Sequence, residues 1–196
     1  YSELPHVRSD IQSYLYEGRT NIARMKLDYI WTPYEDIFAR IDVGLIEEMF
    51  GGFGGEILYR PFGKRYALGV VAHKVRQREY RQRFGFRDYK TTTGHLEMFY
   101  EFANGINASL LAGKYLAGDK GVTLDLSRRF ISGFRLGVYA SKTNVPAEIF
   151  GEGTFDKGFY FSIPTQMFLP GYETGSVSFG MSPLTKDAAA TLHNHN

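Results

Sequence analysis

The chain has no cysteine, which excludes a disulfide framework and any thiolate-ligated metal site. That absence does not decide the compartment, although a protein crossing an oxidising space without thiols avoids mispairing there. There is no run of about 18 uninterrupted apolar residues, so no membrane-spanning helix can be drawn. A strand-built membrane protein stays open, because its signal per segment is only alternation. Charge of one sign is also lacking: 23 Lys and Arg face 21 Asp and Glu, a formal charge of +2, and no argument for nucleic acid follows from it. The chain starts at Tyr1 with neither an initiator Met nor a signal-peptide pattern, as expected of a processed product or a piece of something longer.

Aromatic residues, by contrast, are abundant. They make up 16% of the chain and stand beside 22 Gly and only 7 Pro, a mixture suited to strands and tight turns and pointing to an all-β fold. Ser9-Asp10-Ile11-Gln12 resembles a capping box, and Ile11, Tyr14 and Leu15 fall on one face of a short surface helix ending before Gly18.

Strict alternation follows. Ala23, Met25, Leu27, Tyr29 and Trp31 oppose Arg24, Lys26 and Asp28, and Ile37, Ala39, Ile41, Val43 and Leu45 oppose Arg40 and Asp42. Ile57 to Phe62 follows with an ambiguous face, and the same period returns in Tyr66 to Ala72, Leu96 to Phe102, Ile106 to Ala112, Val122 to Leu126, Phe134 to Ala140, Phe159 to Ile163 and Val177 to Met181. Ala103-Asn104-Gly105 signals a short hairpin. About ten strands result, each near the roughly 9 to 11 residues that cross a bilayer at a tilt.

Two features favour a membrane barrel over a soluble one. Short connections at Thr32, Gly63, Asn104 and Ser132 alternate with long ones at Glu47 to Gly55, Lys74 to Lys90, near Ala117, and at Lys142 to Asp156, as in barrels with short turns at one end and loops at the other. Charges also sit deep in strands on the polar face among small residues such as Ser109, Ser127, Gly137 and Ser141, which suits a narrow lumen of paired charges. The expected fold is therefore an antiparallel up-and-down transmembrane β-barrel of about 8 to 10 strands, itself complete or part of a larger or tandem barrel. Residues 1–20 form an amino-terminal loop with a short helix, 21–184 the strands and loops, and 185–196 a tail. A soluble antiparallel barrel is the alternative, since period alone does not tell inside from outside.

EEMFGGFGGEILYRPFG (Glu47 to Gly63), FGFRDYKTTTGHL (Phe84 to Leu96), AGKYLAGDKGVTLDLSRRF (Ala112 to Phe130), FGEGTFDKGFYFSIP (Phe150 to Pro164) and SPLTKDAA (Ser182 to Ala189) occur in this order along the chain. In this the chain resembles the carboxy-terminal part of the YjbH (GfcD-like) exopolysaccharide-biosynthesis proteins. The resemblance implies a bacterial outer-membrane location and a role in secreting or assembling extracellular polysaccharide or capsule. The implied partners are outer-membrane lipid and lipopolysaccharide, the polysaccharide, and other proteins of the secretion operon. It carries over no catalytic residue and no cofactor.

The residues supply further candidates. Arg24, Lys26, Arg40, Asp42, His95, Glu97, Asp125 and Arg135 form the expected lumen charge network. Lys74 to Lys90 reads as a basic loop in which Arg76, Arg78, Arg81, Arg83 and Arg87, interleaved with Tyr80, Phe84, Phe86 and Tyr89, would grip phosphates or an acidic polymer. GGFGG at Gly51 to Gly55 has no Gly-Lys-Ser/Thr after it and reads as a flexible loop entry. His95, Glu97, Asp125 and Ser127 contain the residue types of a hydrolase triad without a nucleophile motif, so lumen salt bridges are the simpler expectation. His193 and His195 would bind metal only incidentally, and no metal or cofactor is expected.

Overall fold

A computed structural model describes residues 4–146, 156–164, 176–181 and 187–193. After one short helix, α1 (Ile11–Glu17), the strands are β1 (Met25–Tyr34), β2 (Ile37–Leu45), β3 (Phe50–Tyr59), β4 (Tyr66–Arg78), β5 (Phe86–Glu101), β6 (Ile106–Lys114), β7 (Lys120–Arg129), β8 (Arg135–Thr143), β9 (Asp156–Pro164) and β10 (Ser176–Met181). They form one ten-stranded antiparallel sheet in sequence order, with every strand paired to the next. The up-and-down all-β expectation is met. The sheet is not closed, however: among the described residues β1 and β10 are its two edges, with no pairing between them.

Period 2 gives each strand two chemically different faces, and the register keeps like with like. Leu27 lies opposite Val43, Tyr29 opposite Ile41, and Leu124 opposite both Leu110 and Ala140, while Arg40 lies opposite Glu56 and Asp42 opposite Gly54. The apolar face is the exposed one: Leu27 is 72% exposed, Ile41 52% and Val138 51%, whereas Arg40 and Asp42 are 8% and 3% exposed. A single-layered sheet hides one face only by curling toward it, so the sheet curls around its polar side. Glycine makes the tight curl possible at two points. A Cβ on Gly54 would collide with the His73 ring of β4, and one on Gly137 with the Tyr160 ring of β9.

The turns at one end, which we call the turn end, follow from local chemistry. Asp36 takes φ 63° in the β1–β2 hairpin, Gly63 φ 70° between β3 and β4, and Asn104 and Gly105 φ 63° and 71° in the one-turn 3-10 helix joining β5 to β6. Gly133, with φ 84°, turns β7 into β8.

The opposite end departs from expectation. Phe50 to Gly55 is not a loop but the first half of β3, so GGFGG is strand interior rather than a flexible entry. Lys74, Arg76 and Arg78 belong to β4, and Arg87 and Lys90 to β5, which reduces the long basic connection to 79–85. The remainder of the β8–β9 connection, 147–155, and the β9–β10 connection, 165–175, lie outside the described residues.

This second end carries a cap. α1 and the chain before it, the β2–β3 and β6–β7 connections, and residues 187–193 enclose a small dry core of Val7, Tyr14, Ile46, Met49, Phe50, Val75, Leu116, Ala117 and Ala190. Of the three residues read onto one face of α1, Tyr14 is buried and Ile11 packs against the core, while Leu15 is exposed. The capping box does not form either: Asp10 makes no side-chain cap, and the Ser9 hydroxyl donates instead to Asp187 Oδ2 at 2.8 Å. A tertiary partner has displaced the local one.

Candidate functional site

On the inner face of the sheet, four of the eight residues expected as one lumen network fall into two groups. On β2 to β4, Arg40 pairs with Glu56 at 2.8 Å, and Asp42 accepts from His73 Nε2 at 2.9 and 3.2 Å in a buried contact. On β7 to β9, Tyr160 donates to Asp125 at 3.0 Å, and Arg135 donates to Ser127 at 3.0 Å and to Tyr160 at 3.4 Å. His95 and Glu97 on β5 stand between the groups, with the His95 ring edge-on to Tyr115 at 4.8 Å. Lys26 pairs with Asp28 at 3.0 Å on β1, and Arg24 lies exposed just before that strand.

The triad types are thus not assembled. Ser127 is engaged by Arg135 and Asp125 by Tyr160, and His95 Nε2 has no hydrogen-bond partner. Among the described residues no cluster of three or more His, Asp or Glu could hold a metal ion. His193 has its ring 3.8 Å from Glu47, and His195 lies outside the described residues.

At the turn end the inner face opens into a cavity of about 1060 Å³ lined from β3 through β9. Arg60, Lys64, Arg65, Arg129 and Arg135 line it together with Glu56, Glu101 and Asp125, and Phe99, Asn107, Ser109 and Ser162 complete the lining. Donors, acceptors and aromatic edges of this kind suit a hydroxyl-rich or acidic ligand. Deeper in, a space of about 210 Å³ lined by Arg40, Glu56, His73, His95 and Glu97 is covered by Thr191 and Leu192. The trough is therefore open at the turn end and roofed by the cap.

The cap is held by ion pairs and hydrogen bonds that converge from distant positions. Arg8 forks onto Glu47 at 2.7 and 3.0 Å and also reaches the Thr191 carbonyl. The fully buried Arg78 guanidinium donates to the carbonyls of Ile22, Ala23, Glu47, Gln82 and Arg83. Arg87 pairs with Asp10 at 2.8 Å and stacks on Tyr80.

Of the five arginines expected to grip a polyanion, Arg78 is therefore internal and Arg87 engaged within the cap. Arg76 donates to the Arg87 carbonyl, and Arg81 and Arg83 are exposed in the short connection. Burial would raise the Asp10 carboxyl, but hydrogen bonds from Arg87, Tyr80 and His6 outweigh it and hold it below the usual carboxylate range. Burial pushes the Tyr14 hydroxyl up to about 12, and burial likewise raises Asp119, which accepts from the Ala189 amide.

The YjbH family, described as "Exopolysaccharide biosynthesis protein YbjH", matches residues 1–196. The chain belongs to this family. It is 37% identical to the "Uncharacterized lipoprotein YjbH" of Escherichia coli strain K12 over 97% of its own length, and spans 28% of that relative. No solved structure matches the chain. The family's description links it to exopolysaccharide biosynthesis, and the part of it seen in this chain is an all-β antiparallel sheet.

Some of the residues that build the site were not foreseen. His73 lies just past the point where sequence alternation ends β4, because Lys74 and Arg76 read as loop. Glu56 follows a glycine run, and Tyr160 reads only as the alternate position of an aromatic stretch. For His73 the signal was available: continuing the β4 period from Ala67 through Gly69 and Val71 puts it on the inner face. For Arg8, Glu47 and Arg78 no local signal exists.

Proposed function

We propose that this chain is a lipid-facing segment of an outer-membrane β-barrel that acts in exopolysaccharide secretion as a non-catalytic anchor and binding platform. The observation that carries this reading is the inverted burial of the sheet: leucine, isoleucine and valine outside, arginine, aspartate and histidine inside. An apolar surface spread over ten neighbouring strands far exceeds what a water-soluble domain leaves uncovered, and in lipid it carries no cost. The lipoprotein name of the Escherichia coli relative supports an envelope membrane as the location.

Two features favour a platform over a conduit. The cap roofs the trough at one end, and the open cavity at the other offers arginines, carboxylates, hydroxyls and the Phe99 ring to a sugar chain. The capsule or exopolysaccharide and the other proteins of the secretion operon are the proposed partners. The reading is tested on the full-length protein by extraction and gel migration. It should leave membranes only with detergent and migrate faster unheated than boiled. Release by carbonate or high salt, with no heat-dependent shift, would refute membrane insertion.

A further inference from the structure

On the outer face, the apolar band ends differently at the two ends of the sheet. At the turn end aromatic side chains stack in neighbouring pairs: Tyr29 with Trp31 at 5.4 Å, Tyr59 with Tyr66 at 6.4 Å, Tyr100 with Phe102 at 4.7 Å and Phe134 with Phe161 at 6.3 Å. At the cap end the same face carries cations on six consecutive strands: Lys74 and Arg76 on β4, Lys90 on β5, Lys114 on β6, Lys120 on β7, Lys142 on β8 and Lys157 on β9. From Lys74 to Tyr66 on β4, from Lys114 to Ile106 on β6 and from Lys120 to Arg128 on β7 the span is eight residues. That is roughly 26 Å along a strand, or about 20 Å once tilted, close to the height of a lipid-facing apolar band.

Two pairs in this belt are placed against ordinary sheet electrostatics. Lys114 lies directly opposite Lys120, and Arg76 directly opposite Lys90. Like charges directly opposed on one face have Cβ atoms only about 5 Å apart and destabilise the pairing. Asp88, 3.8 Å from Arg76, offsets one pair in part. Lys74, Lys90, Lys114, Lys120 and Lys142 have no ion-pair partner among the described residues. The inner face shows what this sheet does with charges it satisfies internally, pairing Arg40 with Glu56 across the same kind of register. Those five lysines lack that complement, and none of the described residues supplies their counter-charge.

We propose that this belt binds the phosphate groups of a phosphorylated glycolipid packed against the sheet, a deeper reading that rests on the membrane-facing sheet proposed above. The occupant must offer acyl chains to Leu124 and Val70 and anionic groups one step further along the same strands, which defines an anionic lipid. Opposed cations such as Lys114 and Lys120 suit a phosphate monoester, which carries nearly two charges, better than the single charge of a glycerophospholipid diester. The cap end of the sheet then faces the leaflet that holds the glycolipid.

The test uses full-length protein in nanodiscs, wild type and the quadruple variant K90Q/K114Q/K120Q/K142Q, with R128Q, an outer-face cation at the turn end, as control. The discs contain phosphatidylcholine doped with lipid A, dephosphorylated lipid A or phosphatidylglycerol, and lipid retained by the protein is measured after exchange. Wild type and control should retain lipid A at least tenfold over its dephosphorylated form and over phosphatidylglycerol, and the quadruple variant should lose that preference. Equal retention of the lipids by wild type, or an unchanged preference in the quadruple variant, would overturn the belt. Heat-dependent migration of the same samples separates this from failure of the membrane reading: a protein that inserts normally but shows no lipid preference loses only the belt.

Discussion

In the cap, Val7, Tyr14, Ile46 and Leu116 are shielded on every side, while the polar ends of Arg8, Ser9 and Asp187 fringe them. A few residues along the same strands, Leu27, Ile41 and Val138 stand out from the sheet with Arg40 and Asp42 behind them. One chain thus follows two opposite burial rules. The proposed function assigns each region its own solvent: water to the cap, and to the sheet a medium that takes apolar side chains at no cost and cannot satisfy a charge.

The strongest way to break that contrast is to unseat the cap without touching the sheet. Removing the Arg78 guanidinium by Arg78→Met strands five carbonyls that it now satisfies. At about 1.5 to 3 kcal/mol for each hydrogen bond to a charged group, only partly recovered by water, the cap should lose roughly 3 to 5 kcal/mol. Hydrogen exchange should show residues 4–23 unprotected while β6 to β8 keep their protection. Equal loss in both would mean that cap and sheet are one cooperative unit.

Placing a charge on the outer face sharpens the other half. Val70→Arg, in the middle of β4, should cost about 2 to 4 kcal/mol in urea unfolding from lipid vesicles. The same change on a water-facing strand would fall within about 0.5 kcal/mol.

A smaller effect comes from pH. The Tyr14 hydroxyl has its folded pKa raised to about 12 from 10.0, so the unfolded chain releases that proton first as pH climbs. Its contribution is complete below pH 10 and is lost between about 10 and 12, at most about 2.7 kcal/mol for two pKa units. Cap protection should fall across that window in wild type and stay flat in Tyr14→Phe; parallel curves would contradict the assignment. Asp10 works in the opposite sense. Its folded pKa lies below the model-compound 3.8, so its contribution is full above that value and disappears as pH falls through the folded one. The smallest change is expected at Leu15, exposed on α1, where Leu15→Ser should shift cap stability by less than about 0.5 kcal/mol by the same exchange measurement.

Much of the sheet was legible because period 2 is a local property: β2 runs over Ile37–Leu45 and its faces fall where alternation puts them. Sequence reading faltered where a strand borrows residues that usually mark loops. Gly51 to Gly55 fit inside β3 because bulky inner side chains such as His73 need the space, and Lys74 to Arg78 extend β4 because its last outward positions pass beyond the apolar band. The cap was illegible for a different reason. Its contacts join Arg8 to Glu47 and Thr191, Asp10 to Arg87, and Tyr14 to Arg78, pairs that share no spacing or motif. The inner charges were recognisable as a class, but their partners were not, because register pairs Arg40 with Glu56 and leaves His95 between two groups.

Inverted burial is tested most directly by attaching nitroxide labels to single cysteines at Leu124 and Thr123 in a cysteine-free background of the full-length protein in lipid. Accessibility to oxygen, which dissolves in lipid, is then compared with accessibility to a water-soluble nickel chelate. Leu124 is an outward residue and its neighbour Thr123 shares a hydrogen-bonded inner row with Tyr115 and Ser141. The account predicts a label at Leu124 that oxygen reaches and nickel does not, and an immobilised label at Thr123. A Leu124 label as open to nickel as one at exposed Arg83 would contradict it.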